Sequence, residues 1–328
     1  MPIVVNTNAS ATSASQNLSR ANDSLRSSLQ RLSSGKRINT SADDAGGMAV
    51  AYKLDSRVSR TGAILQNTQN ALSYLQVQDG AMESVGKIVS RMSELRVMAQ
   101  DVTKNSSDIE NYSKEFIELQ SQLGQIKEEK FNGISLFATE GQTLGNGGIN
   151  VVDGGTYTAS STPGVNYDKY ARTLSTNASG QAADGSISLN VINLEFVLSI
   201  GSLSGAGNAN DVDLGGLGNT PGAGGTALGT DGFVTSILHV SVGQFTAVIE
   251  KIADMRAENG AEQNRVVQTL EMLQTNLTNI EAAYGRIMDT DVALESTRFA
   301  RHNVLVQASA AMTAQANQLT NVALQLLG

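Results

Sequence analysis

At 328 residues the chain is long enough for a sizeable core and two or three domains, but aromatics make up 4%, charged residues 16%, Trp and Cys are absent, and His occurs twice. Charge this far below the roughly 25% of an ordinary globular chain suggests a surface covered largely by copies of itself rather than by water. Without Cys there is neither a disulfide framework nor a thiolate metal site, and a net charge of −8 argues against nucleic-acid binding, which needs clustered Lys and Arg.

The chain opens on Met1-Pro2-Ile3-Val4-Val5-Asn6, which lacks a basic region and a long apolar run, so no Sec-type signal peptide is expected. No stretch approaches 18 consecutive apolar residues, and no membrane insertion is expected. A first helix ends at Ser33-Ser34-Gly35, where Gly takes the left-handed position cheaply. Asn39 to Asp44 then supplies N-cap candidates and acids for the next helix. From about Asp44 to Val102 only scattered glycines interrupt a rod that would be roughly 85 Å long.

The helical segments carry a heptad period. Val85, Ile88, Met92, Leu95, Ala99 and Val102 are spaced 3-4-3-4-3. A third helix repeats the pattern with Tyr112, Phe116, Leu119, Leu123 and Ile126, and Asn132-Gly133 marks the turn after it. Leu270, Leu273, Leu277, Ile280, Tyr284 and Ile287 repeat the pattern near the other end. One such seam fits an amphipathic helix on any core; three in one chain favour a bundle.

Between Gly133 and Gly243 lie 22 of the 32 glycines and two of the three prolines, so this segment cannot be helix. The order is therefore helical arm, irregular or β insert, helical arm. The insert carries no catalytic constellation. Asp211-Val212-Asp213-Leu214-Gly215 weakly suggests a calcium loop but lacks the terminal bidentate Glu. The glycine pairs near Gly205 and Gly224 lack the strand-then-helix context of a phosphate loop and read as flexible surface. His239 and His302 sit in no HExxH motif, so no metal, cofactor or enzymatic activity is expected.

The ends are the most informative part. Residues 1–19 and 302–328 contain no Asp, Glu, Lys or Arg. Such termini are too polar to span a bilayer and too uncharged for a solvated tail, so they need neighbours around them. Leu305, Ala308, Met312, Ala316, Leu319, Val322 and Leu326 form an expected polymerisation seam on the C-terminal arm. Residues 20–60 carry a net charge of +4 and residues 258–298 a net −4, which would favour pairing of the two arms.

The stretch Leu29-Gln30-Arg31-Leu32-Ser33-Ser34-Gly35-Lys36-Arg37-Ile38-Asn39, running into Asp43-Asp44-Ala45-Gly46-Gly47, closely resembles the N-terminal signature of bacterial flagellins. Phe131-Asn132-Gly133-Ile134-Ser135-Leu136-Phe137 resembles the end of that family's N-terminal block. Arg256-Ala257-Glu258-Asn259-Gly260-Ala261-Glu262-Gln263-Asn264-Arg265 resembles its C-terminal block, as do Val304-Leu305-Val306-Gln307-Ala308 and Ala314-Gln315-Ala316-Asn317-Gln318. The resemblance covers residues 1–138 and 240–328.

It implies a mainly α fold, a long antiparallel coiled-coil bundle built by both termini around a small β-rich, Gly-rich central insert. Residues 1–43 with 289–328 would form terminal helices lining a filament core (D0). Residues 44–138 with 240–288 would form a helical bundle (D1), and 139–239 a variable, surface-exposed insert, expected as a β-hairpin elaboration with at most one small outer domain. The implied function is a self-assembling filament subunit for motility. Implied partners are further copies of the chain, filament cap and hook-junction proteins, and an export chaperone on the C-terminal arm. Export would use the flagellar type III route to the extracellular filament, without a cleaved signal peptide.

The resemblance also implies an innate immune receptor contact through Arg91, Leu95 and Glu115, although Leu95 lies on a packing seam as well. A hook–filament junction protein would share the terminal helices but match the Arg31–Gly47 signature poorly. A cytoplasmic coiled-coil scaffold would need charged flanks and ends able to live in water.

Overall fold

The computed structural model describes residues 8–138, 149–159, 162–179, 185–201, 212–217, 219 and 227–327, with 149–159, 162–170 and 319–327 described as backbone only. It is mainly helical: α1 (Ala9–Ser34), α2 (Ala45–Ala99), α3 (Ser106–Lys127), α4 (Leu194–Leu198), α5 (Val242–Met288) and α6 (Val292–Leu327). The strands are β1 (Lys130–Phe131), β2 (Ile134–Ser135), β3 (Ile149–Ala159), β4 (Thr162–Ser175), β5 (Ser186–Val191), β6 (Ser199–Gly201) and β7 (Val212–Asp213). Residues 1–60 with 276–328 form one compact unit and 61–275 a second, so α2 and α5 each supply a segment to both.

The second unit is a helical bundle. α2 and α5 run antiparallel, since Gln78 meets Asn259 and Gly86 faces Ile252. α3 folds back on α2, and Phe116 meets Phe245 of α5 edge-on at 6.2 Å between ring centroids. The heptad positions Val85, Ile88, Met92, Leu95 and Ala99 are buried, as are Phe116, Leu123 and Ile126. The seam stops one step early. α2 ends at Ala99 and Val102 is 98% exposed, because Asp101 turns the chain by accepting hydrogen bonds from the Thr103 backbone N–H and hydroxyl. An Asn105–Asp108 capping box then starts α3.

The expected turn after α3 is present as the β1–β2 hairpin, with Asn132 and Gly133 at φ 51° and 79°. β3 and β4 pair antiparallel, and β5 adds to β4 to complete a three-stranded sheet. The insert departs from a purely surface-exposed elaboration. Ile187, Leu189, Ile192, Leu194, Val197, Leu198, Val212, Leu214 and Val234 belong to the same buried cluster as the α2, α3 and α5 seams. The expectation of no helix there fails at α4, where Asn193 caps a short glycine-free stretch, and glycine content also hid how many apolar residues lie between the glycines. The pairs near Gly205 and Gly224 lie outside the described residues.

Side chains of the bundle hydrogen-bond the backbone of this insert, which otherwise would lose water without replacement. The fully buried Gln120 amide pairs with both the C=O and the N–H of Val234, at 3.0 and 2.9 Å. Gln78 donates to Leu136 O at 2.9 Å and accepts from Asn259, which in turn accepts from Gln263. Glu262 accepts from the Asn190 N–H, Arg265 donates to Ser188 O, and the Lys251 ammonium donates to Ser199 O and Oγ at 2.7 Å each.

Asp211 lies outside the described residues, and Asp213 has an intramolecular task. One carboxylate oxygen accepts from the backbone N–H groups of Gly215 and Leu217, both at 2.9 Å. Burial pushes this carboxyl up to about 8 and nearby Glu195 adds to the rise, while the Leu217 and Gly215 donors and Lys127 pull it down. A carboxyl with a higher pKa folded than unfolded gives most stability below pH about 4, the unfolded value, and loses that contribution as pH rises toward 8. Asp213→Asn keeps the acceptor oxygen and removes the charge. Its melting temperature should therefore exceed the parent's at pH 8 and change less between pH 5 and 8, as read by thermal unfolding; a parent-like pH slope would refute this role.

Candidate assembly interface

The two terminal helices pair antiparallel in the first unit, tied at one end by Asn8 Nδ2 to Ala316 O at 2.8 Å and at the other by Thr290 N–H to Gly35 O at 3.0 Å. The inward face of α1 is Ala11, Ala14, Leu18, Ala21, Leu25, Ser28 and Leu32, spaced 3-4 and alternating small with large from Ala14 onward. α6 answers with Glu295, Phe299, His302, Val306, Ser309, Thr313 and Ala316. His302 is thus a half-buried packing residue on this stripe.

Of the expected polymerisation seam, Ala316 is buried on the stripe facing α1, whereas Leu305 and Met312 are 46% and 65% exposed and Ala308 is exposed too. Leu319, Val322 and Leu326 lie on the helix backbone, and their side chains fall outside the described residues. The apolar residues of α6 surround the helix, so sequence spacing alone does not say which stripe meets α1. Half of the large exposed hydrophobics of the described chain fall in this smaller unit: Leu29, Val50, Tyr52, Val292, Leu294, Val304, Leu305 and Met312. One partner helix leaves that outer face bare.

The Arg31–Gly47 signature builds a clasp that sequence reasoning did not foresee. Gly35 ends α1 at φ 69°, where only glycine is unstrained. The reversed chain then sets Arg37 against the C-terminal end of α5. Its backbone N–H donates to Met288 O, and its guanidinium donates to Ile287 O through Nη2 at 2.8 Å and Nε at 3.2 Å. Those are carbonyls that a helix end leaves without intrahelical partners. Ile38 is 2% exposed beneath the clasp, with Ala51 and Met288.

Asp43 accepts from the Thr40 and Asn39 N–H groups, which hold its carboxyl below the usual range, and Asp44 caps α2 through the Gly47 N–H. A Cβ at Gly47 would sit 2.4 Å from Asp44 Oδ2 and 2.8 Å from Ile38 Cδ1, so a larger residue there would displace the capping carboxylate or Ile38. A signal existed in the Gly35-Lys36-Arg37 order, a cation just after a helix stop, but its partner lies 250 residues away.

The opposite charges of the two arms do not define this clasp. Arg31–Asp43 and Arg298–Glu295 each join residues of one arm, and Arg37 meets carbonyls rather than carboxylates. In the second unit Arg91 and Glu115 are brought together at 2.8 Å on the surface, with Glu94 3.2 Å from Arg91, whereas Leu95 is 0% exposed beneath them. Among the described residues no group of three or more His, Asp or Glu could hold a metal. No described helix is long and apolar enough to cross a membrane.

Long arms that pair end to end and leave an uncharged apolar face bare define a subunit that completes its packing with other chains. Residues 5–142 match the family model for the bacterial flagellin N-terminal helical region, and residues 242–327 match that for its C-terminal helical region. The chain is 28% identical to flagellin FlaB2 of Treponema pallidum, covering 99% of this chain and 100% of that one. It is 29% identical to the flagellin of Bacillus subtilis, covering 98% and 99%. A structure described as a flagellar hook-associated protein from Vibrio parahaemolyticus shares the fold, with a TM-score of 0.51 and 14% identity over 75% of this chain and 100% of that one. The chain belongs to the bacterial flagellin family, structural proteins that self-assemble into the flagellar filament.

Arg37→Ala removes the guanidinium donors to Ile287 O and leaves the backbone bond to Met288 O, and should cost about 1–2 kcal/mol of first-unit stability. Protease cleavage should accelerate in the arms and not in the bundle, and Arg37→Lys, which has no planar fork, should restore protection only in part. Unchanged cleavage in Arg37→Ala would show that the clasp does not hold the arms.

Proposed function

We propose that this chain is a filament subunit whose terminal arms form the innermost layer of the tube. The single observation that carries the reading is the bare outer face of α6, where Val304, Leu305 and Met312 are exposed on a segment with no Asp, Glu, Lys or Arg. In this reading residues 1–43 with 289–328 form the inner layer, 44–138 with 240–288 the surrounding bundle, and 139–239 the outward-facing side. Leu305, Ala308, Met312, Leu319, Val322 and Leu326 face neighbouring copies, and burial by those copies supplies the free energy that keeps the arms helical.

The same bare arm suits an export chaperone before assembly, and cap and hook-junction proteins at the filament ends. In this reading the chain is exported to the extracellular filament. The hook–filament junction reading gains no support beyond a shared fold, because the Arg31–Gly47 signature is intact. Uncharged ends argue against a cytoplasmic scaffold. Removing residues 302–328 should leave a soluble subunit that forms no filaments by negative-stain electron microscopy; normal filaments from that truncation would overturn the reading.

The proposed immune-receptor contact centres on Arg91 and Glu115, an exposed ion pair on adjacent helices. Leu95 acts from below by fixing the spacing of α2 and α3, since none of its surface reaches solvent. An Arg91→Ala, Glu115→Ala variant should lose most of its response in a receptor reporter assay while still forming filaments. A full response would sink the contact.

A further inference from the structure

The first unit contains a cleft that its own fold leaves open. It lies between the turn after α1 and the facing ends of α2 and α5, and Ile38, Met48, Ala51 and Met288 provide its apolar lining. Tyr52, 69% exposed, stands on its rim together with Lys36 and Asp55. An apolar floor flanked by one cation and one anion calls for an apolar side chain flanked by the opposite charges.

Among the exposed large hydrophobics of this unit, Leu294 meets that description. It is 51% exposed on the first turn of α6. Three residues before it Asp291 caps the helix, its Oδ1 accepting from the Ala293 and Leu294 N–H groups, and four residues after it stands Arg298, 3.3 Å from Glu295. Leu29, Val50 and Val304 have only cations at three or four residues' distance, Val292 only acids, and Leu305 and Met312 have no acid there. Asp291 and Arg298 are about 10 Å apart along the helix, a span that brackets a single leucine.

We infer that Leu294 of one copy seats in the cleft beside Tyr52 of a second copy, with Asp291 facing Lys36 and Arg298 facing Asp55. The inference rests on the filament-subunit reading and deepens it by naming one contact. Each copy carries both the knob and the cleft, so the contact can repeat from copy to copy along an open polymer. The ion pairs at the rim add little energy in water and act mainly by rejecting wrong registers. Burial of Leu294 and Tyr52 supplies the attraction.

The chain has no cysteine, so engineered thiols report the contact without background. Tyr52→Cys and Leu294→Cys subunits, mixed, polymerised and oxidised, should yield a disulfide-linked dimer on a non-reducing gel. A mixture of Val97→Cys and Leu294→Cys should not, because Val97 belongs to the second unit and is not part of the cleft. Separately, Arg298→Glu and Asp55→Arg should each raise the critical concentration for polymerisation several-fold, and the double variant should recover most of the loss. Normal filaments with no disulfide-linked dimer from the Tyr52→Cys and Leu294→Cys mixture, or a double variant as poor as the worse single, would overturn the contact. Failure of the unsubstituted protein to polymerise would overturn the filament reading itself, and the contact with it.

Discussion

Register is the constraint on which this architecture depends. The halves that build both units are separated by an insert of about a hundred residues, and their apolar seams repeat every seven residues. A heptad seam by itself is satisfied nearly as well after a slip of one repeat. What distinguishes the native register is polar and buried. Gln78 meets Asn259 at 2.7 Å, and beside it Arg256 meets Asp79 at 2.9 Å and 3.2 Å. A slip would leave buried amides without partners, at about 1–3 kcal/mol for each lost partner. In the first unit the same task falls to Arg37 on the last carbonyls of α5 and to Thr290 on Gly35. The residues that made the family recognisable are those that fix how the two ends meet.

This explains which parts of the fold were legible in the sequence. Seams such as Val85 to Ala99 are local patterns, and each follows from helical geometry without knowledge of a partner. Stops such as Ser34-Gly35 and Asn132-Gly133 are local too. Arg37 was not legible, because its value depends on carbonyls 250 residues away. Val102 continued the period on paper and failed because a three-residue Asp101–Thr103 turn outweighed one more apolar contact. The outward stripe of α6 was only half legible. With Leu305 and Val306 adjacent in sequence, periodicity allows either to face α1, and the structure chooses Val306.

The insert shows how composition can mislead about burial. One residue in five there is glycine, which disfavours a long helix but excludes neither a short helical turn nor packing. Leu194, Val197 and Leu198 lie on a single short helix turn and are buried completely, and Val234 is held by the Gln120 amide as a sheet neighbour would hold it. The bundle thus closes with the insert as one of its walls. Sequence change there is free only where the chain leaves that wall, not across the whole of residues 139–239.

The absence of charge at the ends acquires a physical reason from the pairing of α1 and α6. In the proposed filament such a helix has neighbours on several sides, and any Lys or Glu on it would lose water with no assurance of a partner. α6 carries Arg298 and Arg301 near its start and no Lys, Arg, Asp or Glu after that. Charge therefore disappears just where the exposed apolar residues Val304, Leu305 and Met312 begin. The root of the arm keeps Asp291, Leu294 and Arg298, whereas residues 302–328 carry no charge. In the proposed filament, charge at the root of the arm would choose the neighbour's position and burial along its length would hold it there.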